Sequence, residues 1–486
     1  MLKMVDGTGI IGVDMVCPLG GTVSPPQPPN FDKVEMEGVG SLMLPNSLKA
    51  PLERVELIGN SVQPTTTGKN LFDESKAVTG RINPDNGELL PETSYISSDY
   101  IEVQEGETYF QSGSGDGYYR AFYDMNKKFT SIPTKGVFKI TVPVGSKFLR
   151  ISGRKERFGD WMIEKGDKAT SYEPYTGGKP SPSPEYPQEI KSAGKWNEGT
   201  QKYEIDVKVT GRNILSDVKG MYNIFVPCSI KAGTTVTLIT NGVESNGGNI
   251  LFTTDSGKDY WYAINKGETK VARSINKNVI GFKNLLQKKE GLKYCLTIGE
   301  NDKYEPYTEQ SVQIALNEPL RGIGEYKDVL TKDGVVRKIH EQTLKKEQIS
   351  MNEYNWDTKY FRLYVNPDKK IDSSINIHEL FSNMFKKFVI YKGNPNVYWV
   401  ISEEEIRSMG ITETDSLQVA YEKIKDFVTT NDIVIQYPIV ETTLEPLPES
   451  VQAQLQALHS ENGTTHVFVD SGEVPCGIKL TYRKEK

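Results

Sequence analysis

The 486 residues exceed what one hydrophobic core organises, because single cores stop growing at roughly 250 to 300 residues, so three or four domains are expected. Hydrophobic residues at 37% against 25% charged, with 43 Gly, 26 Pro and 25 Tyr, exclude a disordered chain and favour a turn-rich, strand-rich fold. A net charge of -6 without a long Lys/Arg stripe excludes a partner held by its phosphate backbone, so nucleic acid is not expected.

The chain opens with MLKMVDGTGIIGVDMVCPLGG, whose apolar stretch is interrupted by Asp6 and Asp14 and follows no long positive segment. It reads as neither a signal peptide nor a spanning helix, and no membrane insertion is expected. The cysteines Cys17, Cys228, Cys295 and Cys476 lie too far apart for a zinc or redox motif and read as buried free thiols made in a reducing cytoplasm. SPPQPPN at 24–30 removes backbone donors and marks an extended spacer. Short strands between Gly and Pro turns follow, so 1–67 reads as an N-terminal assembly and attachment region.

The sequence then repeats itself. GKNLFD at 68–73 returns as GRNILSD at 211–217, and the YEPYT that ends at Thr176 returns ending at Thr308. Asn70 lies 102 positions before Tyr172, and Asn213 lies 91 before Tyr304, so two related domains of about one hundred residues are expected. In the first, Phe138, Ile140, Val142 and then Leu149, Ile151 alternate as half-buried strands do. The second is read as opening with Tyr203, Ile205, Val207 and Val209 at the same period. Turn-bounded alternating strands imply a sandwich or jelly roll at 68–176 and again at 195–310. The alternating prolines of 177–194 read as a stiff, extended linker between them.

From 311 to 486 the periods mix, and an α+β C-terminal domain is expected. HELFSNMFKKF sets Leu380, Phe381, Met384, Phe385 and Phe388 on one helical stripe, and DSLQVAYEKIKDFV does so with Leu417, Ala420, Tyr421, Ile424 and Val428. PLPESVQAQLQALH reads as a short helix started near Pro448. NDIVIQYP, GTTHVFVD and CGIKLTYR read as strands. The fold class is therefore mainly β, with tandem jelly-roll β-sandwich repeats followed by an α+β domain.

Four of these segments carry a resemblance: GKNLFD, the run MIEKGDKATSYEPYTGGKPSPSPEYPQEIKSAG at 162–194, EPLRGIGEYKDVL at 318–330, and the run from Asn431 to Gly472. From about residue 50 onward the chain resembles minor structural, baseplate or tail-fibre proteins of phages and prophages of Gram-positive bacteria, whose repeats look like carbohydrate-binding modules. The resemblance implies a structural subunit of a phage or phage-like tail, made in the bacterial host cytoplasm and resident in the virion tail. Other tail or baseplate proteins, a homotrimer and a host cell-wall glycan are the implied partners. Ile10, Ile11 and Val13 would then be buried by threading into a neighbouring subunit.

No enzyme, cofactor or metal site is read from the residues. Glu403, Glu404 and Glu405 form the one tight acidic cluster, and they read as the acidic first turn of a helix. His340, His378, His459 and His466 lack ligand spacing, and SGSGDG at 112–117 lacks the Lys that would complete a phosphate loop. Sugar surfaces stack pyranose faces on aromatic rings, which singles out Tyr118, Tyr119 and Tyr123 in the first repeat. Tyr260, Trp261 and Tyr262 stand at what reads as a comparable place in the second. Adjacent strand residues face opposite ways, so one of each adjacent pair is expected in the core. Tyr172, Tyr175, Tyr304 and Tyr307 of the YEPYT motifs read instead as closing each sandwich against its linker. The rival readings are a glycan-degrading tail enzyme and a purely architectural baseplate protein.

Overall fold

The computed structural model describes residues 5–6, 9–10, 30–113, 119–133, 138–157, 160–216, 223–241, 248–254, 259–286, 291–374, 378–394 and 396–486. Strands hold 48% of the chain and helices 9%, so the protein is mainly β. Among the described residues all strand pairing is antiparallel, and no sheet closes into a barrel.

One sheet of sixteen strands forms the platform, and its members come from distant parts of the chain. Phe31–Val39 pairs along its whole length with Gly477–Glu485. Ser41–Ser47 pairs with Gly463–Asp470. Residues 30–58 thus share a sheet with the last strands of the chain. The platform core collects Leu44, Val55 and Leu57 from the first segment, Ile205, Val207 and Val209 from Lys202–Thr210, and Ile478 and Leu480 from the last strand.

Three segments are inserted between neighbouring antiparallel partners: the first at the two-stranded ladder of Ser61–Val62 with Lys191–Ser192, the second and third at strands of the large sheet. Residues 63–190 leave after Val62, which pairs with Lys191. Residues 211–308 leave after Thr210, which pairs with Glu309. Residues 344–433 follow Thr343, which pairs with Val434, and carry five of the sixteen strands: Ile349–Asn355, Tyr360–Val365, His378–Ser382, Phe388–Ile390 and Val397–Ile401. Lys202–Thr210 is accordingly a platform strand and not the opening of the second repeat: its alternation is the same in either setting, and its partners decide where it belongs.

The first two insertions share one topology. In the first, Thr108–Ser112 lies between Lys139–Thr141 and Met162–Lys165. Facing it, Phe148–Arg154 lies between Tyr119–Tyr123 and the short strands at Tyr95–Ser97 and Ile101–Glu102. In the second, Thr235–Thr240 lies between Lys270–Ser274 and Tyr294–Ile298. Opposite, Val279–Leu285 lies between Gly248–Thr254 and Phe225–Ile230. Each pair of sheets encloses one core, around Phe122, Leu149 and Trp161 in the first module and around Phe252, Phe282 and Leu296 in the second.

The third insertion builds its own core around Trp399, with Phe385 at 4.6 Å and Phe388 at 5.2 Å between ring centroids. HELFSNMFKKF is not a helix. His378–Ser382 is a strand that pairs with Phe388–Ile390 and, through Phe381 and Ser382, with the platform. A strand buried on both faces shows the same dense apolar run as a helical stripe, and here the partners select the strand. The other helices form as expected: Leu417–Thr430 is capped by the Ser416 side chain and buries Ala420, Ile424 and Val428, and Glu449–Ala457 follows Pro448.

The proline-rich segment 177–194 is folded against the protein rather than extended. Ser181 and Pro182 are buried, the Ser181 amide donates to the Thr66 carbonyl, and the Gln188 amide reaches the Asn383 carbonyl at 2.6 Å.

Candidate functional site

The repeated motifs form a clasp where each module joins its own ends. The Asn70 amide donates to the carbonyls of Trp161 (3.2 Å) and Glu173 (2.9 Å), while its oxygen accepts from the amides of Phe72 (2.9 Å) and Ile163 (3.2 Å). Asn213 repeats the pattern on Tyr294 (3.4 Å), Glu305 (3.0 Å), Leu215 (3.0 Å) and Leu296 (3.0 Å). Both side chains are buried, so all four hydrogen bonds replace water that cannot enter. An ion pair backs each clasp, Lys69 with Glu173 at 2.9 Å and Arg212 with Glu305 at 3.3 Å. The glycine before each pair is also explained. A Cβ on Gly68 would stand 3.0 Å from the Thr176 hydroxyl, and one on Gly211 would stand 2.7 Å from that of Thr308. GKN or GRN and YEPYT are thus the two halves of a lock on each of these two insertions.

EPLRGIGEYKDVL is likewise structural. Asp328 is fully buried and accepts from the amides of Lys338 (2.7 Å), Ile339 (3.1 Å) and Arg321 (3.1 Å) and from the Arg337 guanidinium (3.1 Å). Arg337 in turn reaches Glu445 at 2.9 Å, which pins the platform strands 334–343 and 434–446 together.

The aromatic candidates separate by burial. Tyr118 lies outside the described residues, and of Tyr260 only the backbone is described, in the strand Asp259–Ile264. Tyr123 is buried, its hydroxyl donates to the Gly87 carbonyl at 2.6 Å, and burial pushes its pKa up to about 12. Tyr262 is buried too, donates to the Val271 carbonyl at 3.1 Å, and is pushed up to about 12 by the same cause. Neither ring has a face to offer a ligand. Tyr119 is half-buried, with the Arg81 guanidinium 4.4 Å above its ring. Trp261 is 61% exposed. The two tyrosine clusters do not occupy comparable places, because Tyr119–Tyr123 matches Gly248–Thr254 in the shared topology and not Asp259–Ile264.

Superposing the buried pairs Phe122 with Leu149 and Phe252 with Phe282 brings the outer sheet faces into register. On the second module, cross-strand pairing aligns Phe225, Lys283, Leu251 and Trp261 in a single row. Three strand spacings separate the two aromatic ends, about 14 Å. Trp261, Phe225 and the bulged Ile280 are all exposed. On the first module the corresponding row contains Tyr100, Arg150 and Ala121, and it is covered. A hairpin of Arg81–Ile82 and Leu89–Leu90 lies over it, burying Ile82, Ala121 and Tyr123 among Tyr100, Phe129 and Phe148. Arg150 is held in place beneath, 4.8 Å from the Tyr100 ring and donating to the Ser98 carbonyl at 2.9 Å.

No protein-family model, curated protein or solved structure matches this chain. The functional reading therefore rests on the residues and their geometry.

Other chemistry-bearing groups have structural settings. Glu403, Glu404 and Glu405 are the first turn of the helix Glu403–Ser408, where the Ser402 hydroxyl and the Glu405 carboxylate complete a capping box, and Glu403 pairs with Arg407 at 2.8 Å. Cys228, Cys295 and Cys476 are free and buried, and desolvation pushes Cys228 up to about 12 and Cys476 to about 11, which keeps them as thiols. Cys17 lies outside the described residues. Among the described residues no three His, Cys, Asp or Glu side chains gather as a metal site, and no helix is long and apolar enough to cross a membrane.

One feature had no sequence signal. A groove of about 960 Å³ opens where the return from the first module, the hairpin of Lys195–Asn197 with Lys202–Thr210, the turn at 472–474 and the third insertion meet. Its lining residues are scattered from Pro187 to Val474 in the chain, so only the assembled platform brings them together.

Proposed function

We propose that this protein is a non-enzymatic structural subunit of a phage or phage-like tail, in the baseplate or a tail fibre, and that its second module contacts a host cell-wall glycan. The reading joins the sequence resemblance of 162–194, 318–330 and 431–472 to one structural observation, the open row of Phe225, Lys283, Leu251 and Trp261 on the second module. A flat sheet face with an exposed indole offers the stacking surface that pyranose rings use, and Lys283 adds a hydrogen-bond donor in the middle of it. Both modules are read as jelly-roll sandwiches, and 344–433, with two helices among its strands, as the α+β part of the chain. A homotrimer in the virion tail, assembled with other tail proteins after synthesis in the host cytoplasm, suits weak contacts that gain strength by multiplication.

Trp261→Ala tests the reading. In co-sedimentation with host cells, the wild-type protein is expected to bind saturably and the variant to lose at least about tenfold in affinity, with folding unchanged. Equal binding by both would remove the second module from attachment, and no binding by either would leave an architectural subunit. Shortening of the wall polysaccharide by the purified protein would favour a tail enzyme instead. Labelling of the subunit on intact particles anywhere but the tail would overturn the tail assignment.

A further inference from the structure

The platform groove carries a second inference, independent of the modules. Trp196 stands directly across the hairpin from Tyr203, with ring centroids 5.0 Å apart and planes at 57°, so the phenol ring props the indole. Trp196 is nevertheless 49% exposed, unusual for a tryptophan held so firmly, and it lines the groove. Gly194, at φ +136, lets the chain turn in against Tyr203, where a Cβ would stand 3.0 Å from that of the tyrosine. The aromatic pair is therefore positioned by backbone geometry before any ligand arrives.

The polar lining is also fixed in advance. Glu341 accepts from Gln436 at 2.6 Å through one oxygen and pairs with Arg321 at 3.4 Å through the other; about a third of its side chain is exposed in the groove lining, where each oxygen keeps a lone pair for a ligand. Glu189 and Glu473 add two more carboxylates, against Lys191 and Lys195. Lys191 is paired with Glu473, and Lys195 is shared between Asp206 and Asp470. The Tyr203 hydroxyl sits in the same acidic surroundings, its pKa raised by burial and then by the Glu341 charge. Oriented carboxylates accept hydrogen bonds from hydroxyl, amide and ammonium groups and repel anions. A volume of about 960 Å³ lies at the upper end of ligand sites, wide enough for more than one sugar ring.

We propose that the platform groove binds a saccharide, one ring stacked on the exposed Trp196 indole and its hydroxyl or amide donors directed at Glu189 and Glu341, and that the ligand is neutral or amine-bearing rather than anionic. The site extends the adhesive reading from the modules to the platform, and it involves none of the residues of the Trp261 row.

Fluorine NMR on the full chain labelled with 5-fluorotryptophan separates the two sites, because the sequence contains only five tryptophans. Trp196→Phe assigns the groove resonance and Trp261→Phe that of the module. The probes are a set of neutral, amine-bearing and anionic oligosaccharides of bacterial walls, each titrated singly. The Trp196 resonance is expected to shift saturably with at least one neutral or amine-bearing member, and Trp196→Ala, followed by isothermal titration calorimetry because it lacks the reporter, to weaken that binding about tenfold while its four remaining resonances keep their positions. Glu189→Gln, at an exposed position, is expected to weaken it severalfold. No shift of Trp196 with any neutral or amine-bearing member, a response to anionic members alone, or undiminished binding by Trp196→Ala overturns the proposal. A shift of Trp261 without one of Trp196 sinks the groove and spares the adhesive reading. A shift of Trp196 in a protein whose particles ignore host cells does the reverse.

Discussion

The two modules share strand order, clasp and insertion geometry, yet one covers its outer sheet face and the other leaves it open. In the first, the chain between the clasp asparagine and the first long strand makes the hairpin of Arg81–Ile82 and Leu89–Leu90 and lays it over Ala121 and Tyr123. In the second, Phe225–Ile230 starts only twelve residues after Asn213, and Trp261 remains exposed. The two modules thus share what closes them and differ in what lies on the sheet face. The shared part is buried and hydrogen-bonded, where a change is costly; the differing part lies on the surface, where a change alters what the module can touch.

That comparison can be broken first at the clasp, where the largest effect is expected. Asn70→Ala and Asn213→Ala each remove four buried hydrogen bonds, and each should cost about 4 kcal/mol at about 1 kcal/mol per bond. Urea unfolding followed at Trp161 for the first module and Trp261 for the second should give matching losses, and a marked inequality would mean the clasps are not equivalent.

The junction with the platform should distinguish the modules by pH. His466, on a platform strand, stacks at 6.0 Å on Phe468, which joins the core of the second module. Burial, then the nearby Arg212 charge, lowers its pKa from 6.5 to about 4. Between these values the unfolded chain binds the proton and the folded chain does not, so stability is full above about pH 6.5 and declines as pH falls to about 4. The loss should approach about 3 kcal/mol. His466→Gln should flatten this slope for the second module, and a slope that persists would place its origin elsewhere.

The cover on the first module gives a smaller effect. Tyr123→Phe removes the hydroxyl that donates to Gly87 and faces the Arg150 guanidinium, and should cost about 1 kcal/mol, with faster amide hydrogen exchange across 81–90. Unchanged exchange there would show that the hairpin is held by packing alone. Smallest of all, Trp261→Ala on the open face should change stability by less than about 0.5 kcal/mol. A large loss would mean that the indole supports the fold and is not a free surface.

Much of the local structure was legible in the residues. The Gly-Lys/Arg-Asn and YEPYT motifs marked both modules because a buried asparagine with four backbone partners admits no substitute of the same shape. Ser402 with Glu405, and Ser416 ahead of an i, i+4 stripe, announced their helices through capping and periodicity. Of the aromatic candidates, Trp261 was reachable from its neighbours' alternation, whereas Tyr123 and Tyr262 could be assigned to the core only once the sheets were paired. The Trp196 groove left no trace in the sequence, since its walls are contributed by segments nearly three hundred residues apart.

The sequence by itself determined the strand-rich composition, the duplication, the locks at the module ends and the helices with capped termini, because each depends on residues close together in the chain. Tertiary structure alone decided that Phe31–Val39 pairs with Gly477–Glu485, that Lys202–Thr210 serves the platform, that 378–390 is a strand pair and that one sheet face is covered while its twin is open. Alternation states that a strand has a buried side and leaves its partner unnamed; the partner is chosen by which distant surfaces bury the most apolar area together.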